Sequence, residues 1–149
     1  YETRKNVHSR VMYEIVPGLY LSNYPDAVKK TPPRAFVVNC SKDLPFVSDY
    51  GVRIPIDDDL SDEAMHGLVS SLPSVLESID GVLRNNGRVV VHCRAGQQRS
   101  AAVMAAYLMR KGVSLDHAIR YIKMKKKDAF LHSVNFMPAL KIFENRRCT

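Results

Sequence analysis

"RVVVHCRAGQQRSAAVMAAYLM", residues 88–109, decides the fold. Its opening valines form an uninterrupted apolar run, which predicts a short strand buried on both faces. A polar knot, "HCRAGQQRS" at 92–100, follows it. Apolar residues at helical spacing then continue to Met109, and Gly112 closes the helix. A strand, a tight loop and a helix in succession put the loop at the carboxyl end of a strand, where open α/β sheets place their ligands.

The rest of the chain repeats the alternation. "YEIVPGLYLS" (13–22) predicts a hairpin around Pro17-Gly18, and "YPDAVKK" (24–30) one or two helical turns. "RAFVVNC" (34–40) and "GVRIPI" (51–56) predict two more strands. Ser61 caps a helical pattern that runs to Arg84, where "NNG" (85–87) ends it, and Pro73 either kinks this helix or starts a second one. Three helices follow, over Ser100–Lys111, over Ser114 to about Lys126, and from about Asn135 to Arg146. The expected architecture is a single α/β domain with a central, mostly parallel twisted sheet flanked by helices. The polar 92–100 loop lies between its central strand and a helix. Residues 1–12 read as a basic N-terminal segment and residues 13–147 as the domain proper.

Composition narrows the class. At 149 residues and 46% hydrophobic content, the chain suits one core that buries roughly 70% of the unfolded surface. Twenty-two basic against fifteen acidic side chains leave a net charge of +7, which favours nucleic acid, acidic membrane or phosphorylated groups as partners. Cys40, Cys93 and Cys148 are odd in number and scattered. That pattern fits a reducing compartment, so an intracellular location, cytoplasmic or nuclear, is expected. No run approaches the ~18 apolar residues of a membrane span, and no membrane insertion is expected.

The 92–100 loop suits an oxyanion. The backbone N–H groups of Arg94, Ala95, Gly96, Gln97 and Gln98 lead into a helix N-terminus, a natural anion cradle. Gly96 permits a backbone that lets several amides converge. Arg99 adds a planar, two-pronged contact to the same anion. Taken alone, Cys93 fits a core cysteine at a strand end. Joined to Gly96, Arg99 and the strand-to-helix context, it is a thiolate nucleophile held at the mouth of the cradle. Ser100 can then hydrogen-bond the sulfur, and His92 orients the loop rather than reacting. A metal site competes poorly, because His8, His66, His92, His117 and His132 show no H-x-x-x-H spacing and no C-x-x-C occurs. No metal or other cofactor is expected.

A phosphate ester with a poor leaving group also needs a proton donor. "IPIDDDLSDE" (54–63) supplies candidates, since three adjacent aspartates repel one another and favour keeping one protonated.

"HCRAGQQRS" resembles the H-C-x5-R-S/T signature of the cysteine-dependent protein phosphatases. With its aspartate loop upstream of the cysteine, the chain resembles the dual-specificity branch. The flanks are similar as well: "VPGLYLSN" to the family's opening hairpin, "RAFVVNCSKDLP" to its second strand and loop, and "SVNFMPALKIFE" to its final helix. The resemblance implies a phosphoprotein substrate and hydrolysis of phosphotyrosine and of phosphoserine or phosphothreonine through a phosphocysteine. It also implies a shallow pocket. By position after "IPI" it implies Asp58 as the acid, with Asp57 and Asp59 as substitutes. Gln97 and Gln98 depart from the smaller or hydrophobic residues usual at those positions, which bears on pocket shape. Ala101 replaces a frequent glycine. An RNA 5′-triphosphatase of the same superfamily is the alternative, and nucleic acid is a partner only under it; a non-catalytic phosphate-binding module is a weaker one.

Three further features bear on function. "KMKKK" (123–127) reads first as a helix end complementing the dipole, and second as a dock for acidic partners. Arg94 is expected to point outward, beside the pocket. Cys40 ends a strand expected next to that of Cys93, so it is either a buried structural thiol or a partner for a protective disulfide.

Overall fold

A computed structural model describes residues 12–147. Cys148 and most of the basic N-terminal segment lie outside the described residues. Met12, assigned to that segment from sequence, is the first residue of a strand.

The elements are β1 (Met12–Val16), β2 (Leu19–Ser22), α1 (Tyr24–Lys30), β3 (Phe36–Asn39), β4 (Tyr50–Arg53), α2 (Asp62–Arg84), β5 (Val89–His92), α3 (Arg99–Arg110), α4 (Leu115–Lys125) and α5 (Met137–Arg147). The sheet order is β1-β2-β5-β3-β4. Only the β1–β2 hairpin is antiparallel; β2, β5, β3 and β4 run parallel to one another. This is the expected α/β domain.

β5 is the central strand, and Val89, Val90, Val91 and His92 are all buried. Successive side chains of a strand point to opposite faces. Val89, Val91 and Cys93 join the large core that α2, α3, α4 and α5 build on one face. Val90 instead meets Val37, Ala35 and Ala27, the last from α1, on the other. Cys93 therefore inherits an inward direction from the pleat.

α2 rules out a second helix starting at Pro73. It is one continuous helix of 23 residues that begins at the Ser61 cap, where Ser61 Oγ accepts from Ala64 N, and passes through Pro73. An internal proline removes a hydrogen bond and costs about 3 kcal/mol. Burial of Ala64, Met65, Leu68, Val69, Leu72, Val75, Leu76 and Ile79 along one face offsets that cost. No helix among the described residues is long and apolar enough to cross a membrane.

Away from the loop, Asp80 ties α2 to the end of α3. Its carboxylate meets Lys111 Nζ at 2.7 Å and Arg84 Nη1 at 3.2 Å, and Tyr107 donates to it at 3.4 Å. The Lys111 hydrogen bond, ahead of the surrounding cations, holds Asp80 below the ordinary aspartate range against the effect of burial. Charged hydrogen bonds with half-exposed partners predict that Asp80→Asn loses about 1–2 kcal/mol of stability near neutral pH. A depressed carboxylate stabilises the fold fully above the unfolded value near ~3.9. The gap between wild type and variant in urea unfolding should therefore close as pH falls through the lower, folded value. A gap that persisted in acid would mean that Asp80 acts by packing.

Candidate active site

β5 ends at His92 and α3 begins at Arg99, so residues 93–98 must turn the chain within a few ångströms of the sheet edge. The β2–α1 junction crowds this turn. Tyr24 N donates to Arg94 O at 2.9 Å. Gly96 has φ +72°, and a Cβ there would lie 2.7 Å from Ser22 O and 2.9 Å from Asn23 N. Backbone crowding and the left-handed conformation both require glycine here.

Cys93 is 2% exposed and adjoins the core, yet its sulfur has polar neighbours. Gly96 N donates to Sγ at 3.3 Å, and Ser100 Oγ lies 3.1 Å away. One contact comes from the middle of the loop and the other from the first turn of the helix that follows it, so the loop wraps around the sulfur. Ser100 occupies the first turn of α3 and is fully buried. α3 starts one residue earlier than expected, at Arg99, and the preceding Gln98 gives it no side-chain cap. Arg99 Nη1 donates to Ile56 O at 3.1 Å, which joins the arginine to the end of the aspartate loop.

His92 is buried, with Nδ1 3.1 Å from Cys93 O. A carbonyl oxygen only accepts, so the ring proton is on Nδ1. Burial depresses the His92 pKa, and Nε2 makes no hydrogen bond among the described residues. The neutral ring braces the backbone at Cys93. Next to it, Cys40 N donates to His92 O at 2.8 Å, continuing the β3–β5 register. Both Cys40 and Cys93 are free thiols, and burial, with Cys93 beside it, pushes Cys40 well above the ordinary thiol range.

The aspartates do not behave as a mutually repelling triplet, which corrects the sequence expectation. Asp57 pairs with Lys42 at 3.0 Å. Asp59 Oδ1 accepts from Ser61 N at 3.1 Å, and its hydrogen bonds to Ser61 hold its carboxyl below the ordinary range. Asp58 Oδ1 accepts from Asn135 Nδ2 at 2.9 Å. Each has its own partner, and only that of Asp58 leads back toward the loop.

The two glutamines are the second difference. Both side chains turn away from the cradle, toward residues 128–135. Gln97 Nε2 donates to Asp128 Oδ2 at 3.2 Å, and Phe130 N donates to Gln97 O at 2.9 Å. Gln98 Nε2 donates to Ser133 O at 2.8 Å, and Gln98 Oε1 accepts from Asn135 N at 2.9 Å. They leave to the cradle only their backbone. Asp128 is also paired with Lys126, which is fully buried, so "KMKKK" is not uniformly a solvated helix end. Arg94 points outward as expected, with its nearest acidic partner, Asp43, at 4.0 Å. Among the described residues no cluster of three or more His, Cys, Asp or Glu could hold a metal ion.

Asn135, Ser133, Asp128 and Lys126 escaped the sequence reading. Asn135 reads locally as a helix start and Lys126 as part of a charge run. Asp58, a partner of Asn135, lies 77 residues away, and Gln97, a partner of Asp128, lies 31 residues away, contacts that no local periodicity reports. Lys126 pairs with Asp128 two residues on, and its burial is what the charge run conceals.

The geometry agrees with what the chain is similar to. The putative tyrosine phosphatase 123R of Invertebrate iridescent virus 6 is 34% identical over 137 residues, covering 88% of this chain and 90% of the viral protein. Rat dual specificity protein phosphatase 4 is 33% identical over 144 residues, covering 91% of this chain but 35% of that protein. Human dual specificity protein phosphatase 16 is 30% identical over 141 residues, 89% of this chain and 20% of that protein. The chain thus spans about a third or less of these two longer relatives. Among solved structures, human DUSP28 superposes with a TM-score of 0.82 at 24% identity, covering 94% of this chain and 97% of that one. A mouse putative dual specificity phosphatase complexed with zinc tungstate gives 0.76 at 27% identity, covering 91% and 87%. The family pattern described as "Dual specificity phosphatase, catalytic domain" matches residues 19–146, which takes in every site residue described above, and the chain belongs to that family.

Proposed function

We propose that this domain hydrolyses phosphotyrosine and phosphoserine or phosphothreonine in proteins through a phosphocysteine intermediate. The observation that carries the reading is the Cys93 sulfur wrapped by the 93–99 loop, hydrogen-bonded by Gly96 N–H and beside Ser100 Oγ. Those contacts stabilise negative charge on sulfur.

In the first step Cys93 Sγ attacks phosphorus, an S–P bond forms, and the P–O bond to the leaving group breaks. Asp58 passes its proton to the departing oxygen. Loop amides and the Arg99 guanidinium meet the non-bridging oxygens, where charge is concentrated. In the second step water attacks phosphorus, Asp58 takes its proton, and the S–P bond breaks as Ser100 hydrogen-bonds the leaving sulfur. His92 and the Ile56 contact of Arg99 hold the frame in both steps. The tungstate complex of the mouse neighbour supports a site for a tetrahedral oxyanion. We propose an intracellular location from the odd, scattered cysteines of the sequence.

The RNA 5′-triphosphatase alternative gains nothing from the relatives, which are named as protein or tyrosine phosphatases. The test is a side-by-side assay on a peptide bearing phosphotyrosine and phosphothreonine, on triphosphate-ended RNA and on phosphoinositide vesicles. Phosphate release from both peptide positions, faster than from RNA or lipid, is expected. Faster release from RNA would replace the protein substrate.

A further inference from the structure

We propose that Gln98 is a positioning residue that acts through Asn135 to hold the Asp58 carboxyl over the phosphate loop. The inference rests on the reading of Asp58 as the proton donor.

The Gln98 side chain has one defined role among those open to it. It does not cap α3, and it does not face the cradle. It is 8% exposed and uses both ends of its amide, donating from Nε2 to Ser133 O and accepting at Oε1 from Asn135 N. A flipped amide would set an N–H against an N–H and a carbonyl against a carbonyl, so the orientation is fixed. The pair of bonds clamps the backbone on either side of Val134.

Asn135 is fixed in turn. Ser133 Oγ donates to its Oδ1, so the Asn135 amide must present Nδ2 outward, and that group donates to Asp58 Oδ1 at 2.9 Å. Asp58 lies on an exposed loop, and among the described residues this is its hydrogen bond. With Oδ1 engaged by a donor, the transferable proton belongs on Oδ2. Holding that oxygen in one place removes the entropic cost of finding it during the reaction. A serine or valine at position 98 would stop short of Ser133 and Asn135, so the unusual glutamine supplies the reach.

The experiment compares wild type, Gln98→Leu, Asn135→Ala, Asp58→Asn and the Gln98→Leu/Asp58→Asn double variant in the full chain. The substrates are phenyl phosphate, a poor leaving group, and para-nitrophenyl phosphate, an activated one. Loss of a positioned acid predicts that Gln98→Leu and Asn135→Ala each lower kcat/KM about tenfold for phenyl phosphate and less than about twofold for the activated ester. Orthovanadate inhibition should be unchanged, because the cradle is intact. Gln98→Leu should add nothing in the Asp58→Asn background, since the pair acts as a unit.

Equal losses on both esters in Gln98→Leu and in Asn135→Ala, with weakened vanadate binding, would show that residue 98 only shapes the loop and would overturn the inference. If Gln98→Leu does not fold, Asn135→Ala decides by the same criterion. Selective loss in Asp58→Asn but in neither partner variant rejects the positioning role and leaves the acid assignment standing. No leaving-group dependence in Asp58→Asn removes both.

Discussion

Cys93→Ser is expected to lower kcat at least ~10⁴-fold on every phosphate ester, the largest single effect in the domain. A serine hydroxyl in the same place is un-ionised near neutral pH and is a far weaker nucleophile than a sulfur stabilised by Gly96 N–H and Ser100. The substitution changes one atom at a buried position, so the loop, Arg99 and its Ile56 tie should persist. Binding is therefore expected to survive: phosphopeptide affinity by calorimetry should stay within about threefold of wild type, because binding uses donors that the variant retains. In wild type, acid quenching of a single turnover with radiolabelled substrate should leave phosphate attached to the peptide containing residue 93. Turnover within tenfold of wild type in the serine variant, or label on another residue, would move the nucleophile elsewhere.

The second large effect is expected at Arg99. Arg99→Lys keeps the charge and loses the planar fork, and kcat/KM should fall about 10²–10³-fold. Arg99 already commits Nη1 to Ile56 O, which leaves its other donors for an anion while fixing the plane of the guanidinium. A lysine ammonium is a point charge on a flexible stem and cannot do both. The loss should fall on kcat more than on KM, since the arginine meets charge that spreads over the non-bridging oxygens during transfer. The measurement is steady-state kinetics on the doubly phosphorylated peptide, with circular dichroism to confirm the fold. A loss confined to KM would mean that Arg99 binds the ground state and reaction centre alike.

The two glutamines show why resemblance and local chemistry were insufficient beside the phosphate loop. From their positions, Gln97 and Gln98 were expected to alter the pocket. Their side chains instead engage Asp128, Ser133 and Asn135, residues that the chain brings back only after α4 has ended. The aspartate triplet illustrates the same point in electrostatics. Repulsion between sequence neighbours was the reading, and the structure gives each aspartate its own partner at hydrogen-bond distance, in Lys42, Ser61 and Asn135. Pro73 is a third case, in which a local helix breaker yields to the apolar face of α2.

The sequence by itself determined the alternation of strands and helices, the central position of β5 and the loop from Cys93 to Arg99. These follow from short-range causes: a buried valine run, a glycine in a tight turn, and apolar spacing on the helix that follows. Tertiary structure alone decided which aspartate is tied through Asn135 to Gln98, where the glutamines turn and that Lys126 is buried. The aspartate and the glutamines depend on polar partners 31 to 77 residues away, and Lys126, though paired with nearby Asp128, is buried only by the packing around it. Distance and direction in space are not encoded by spacing along the sequence.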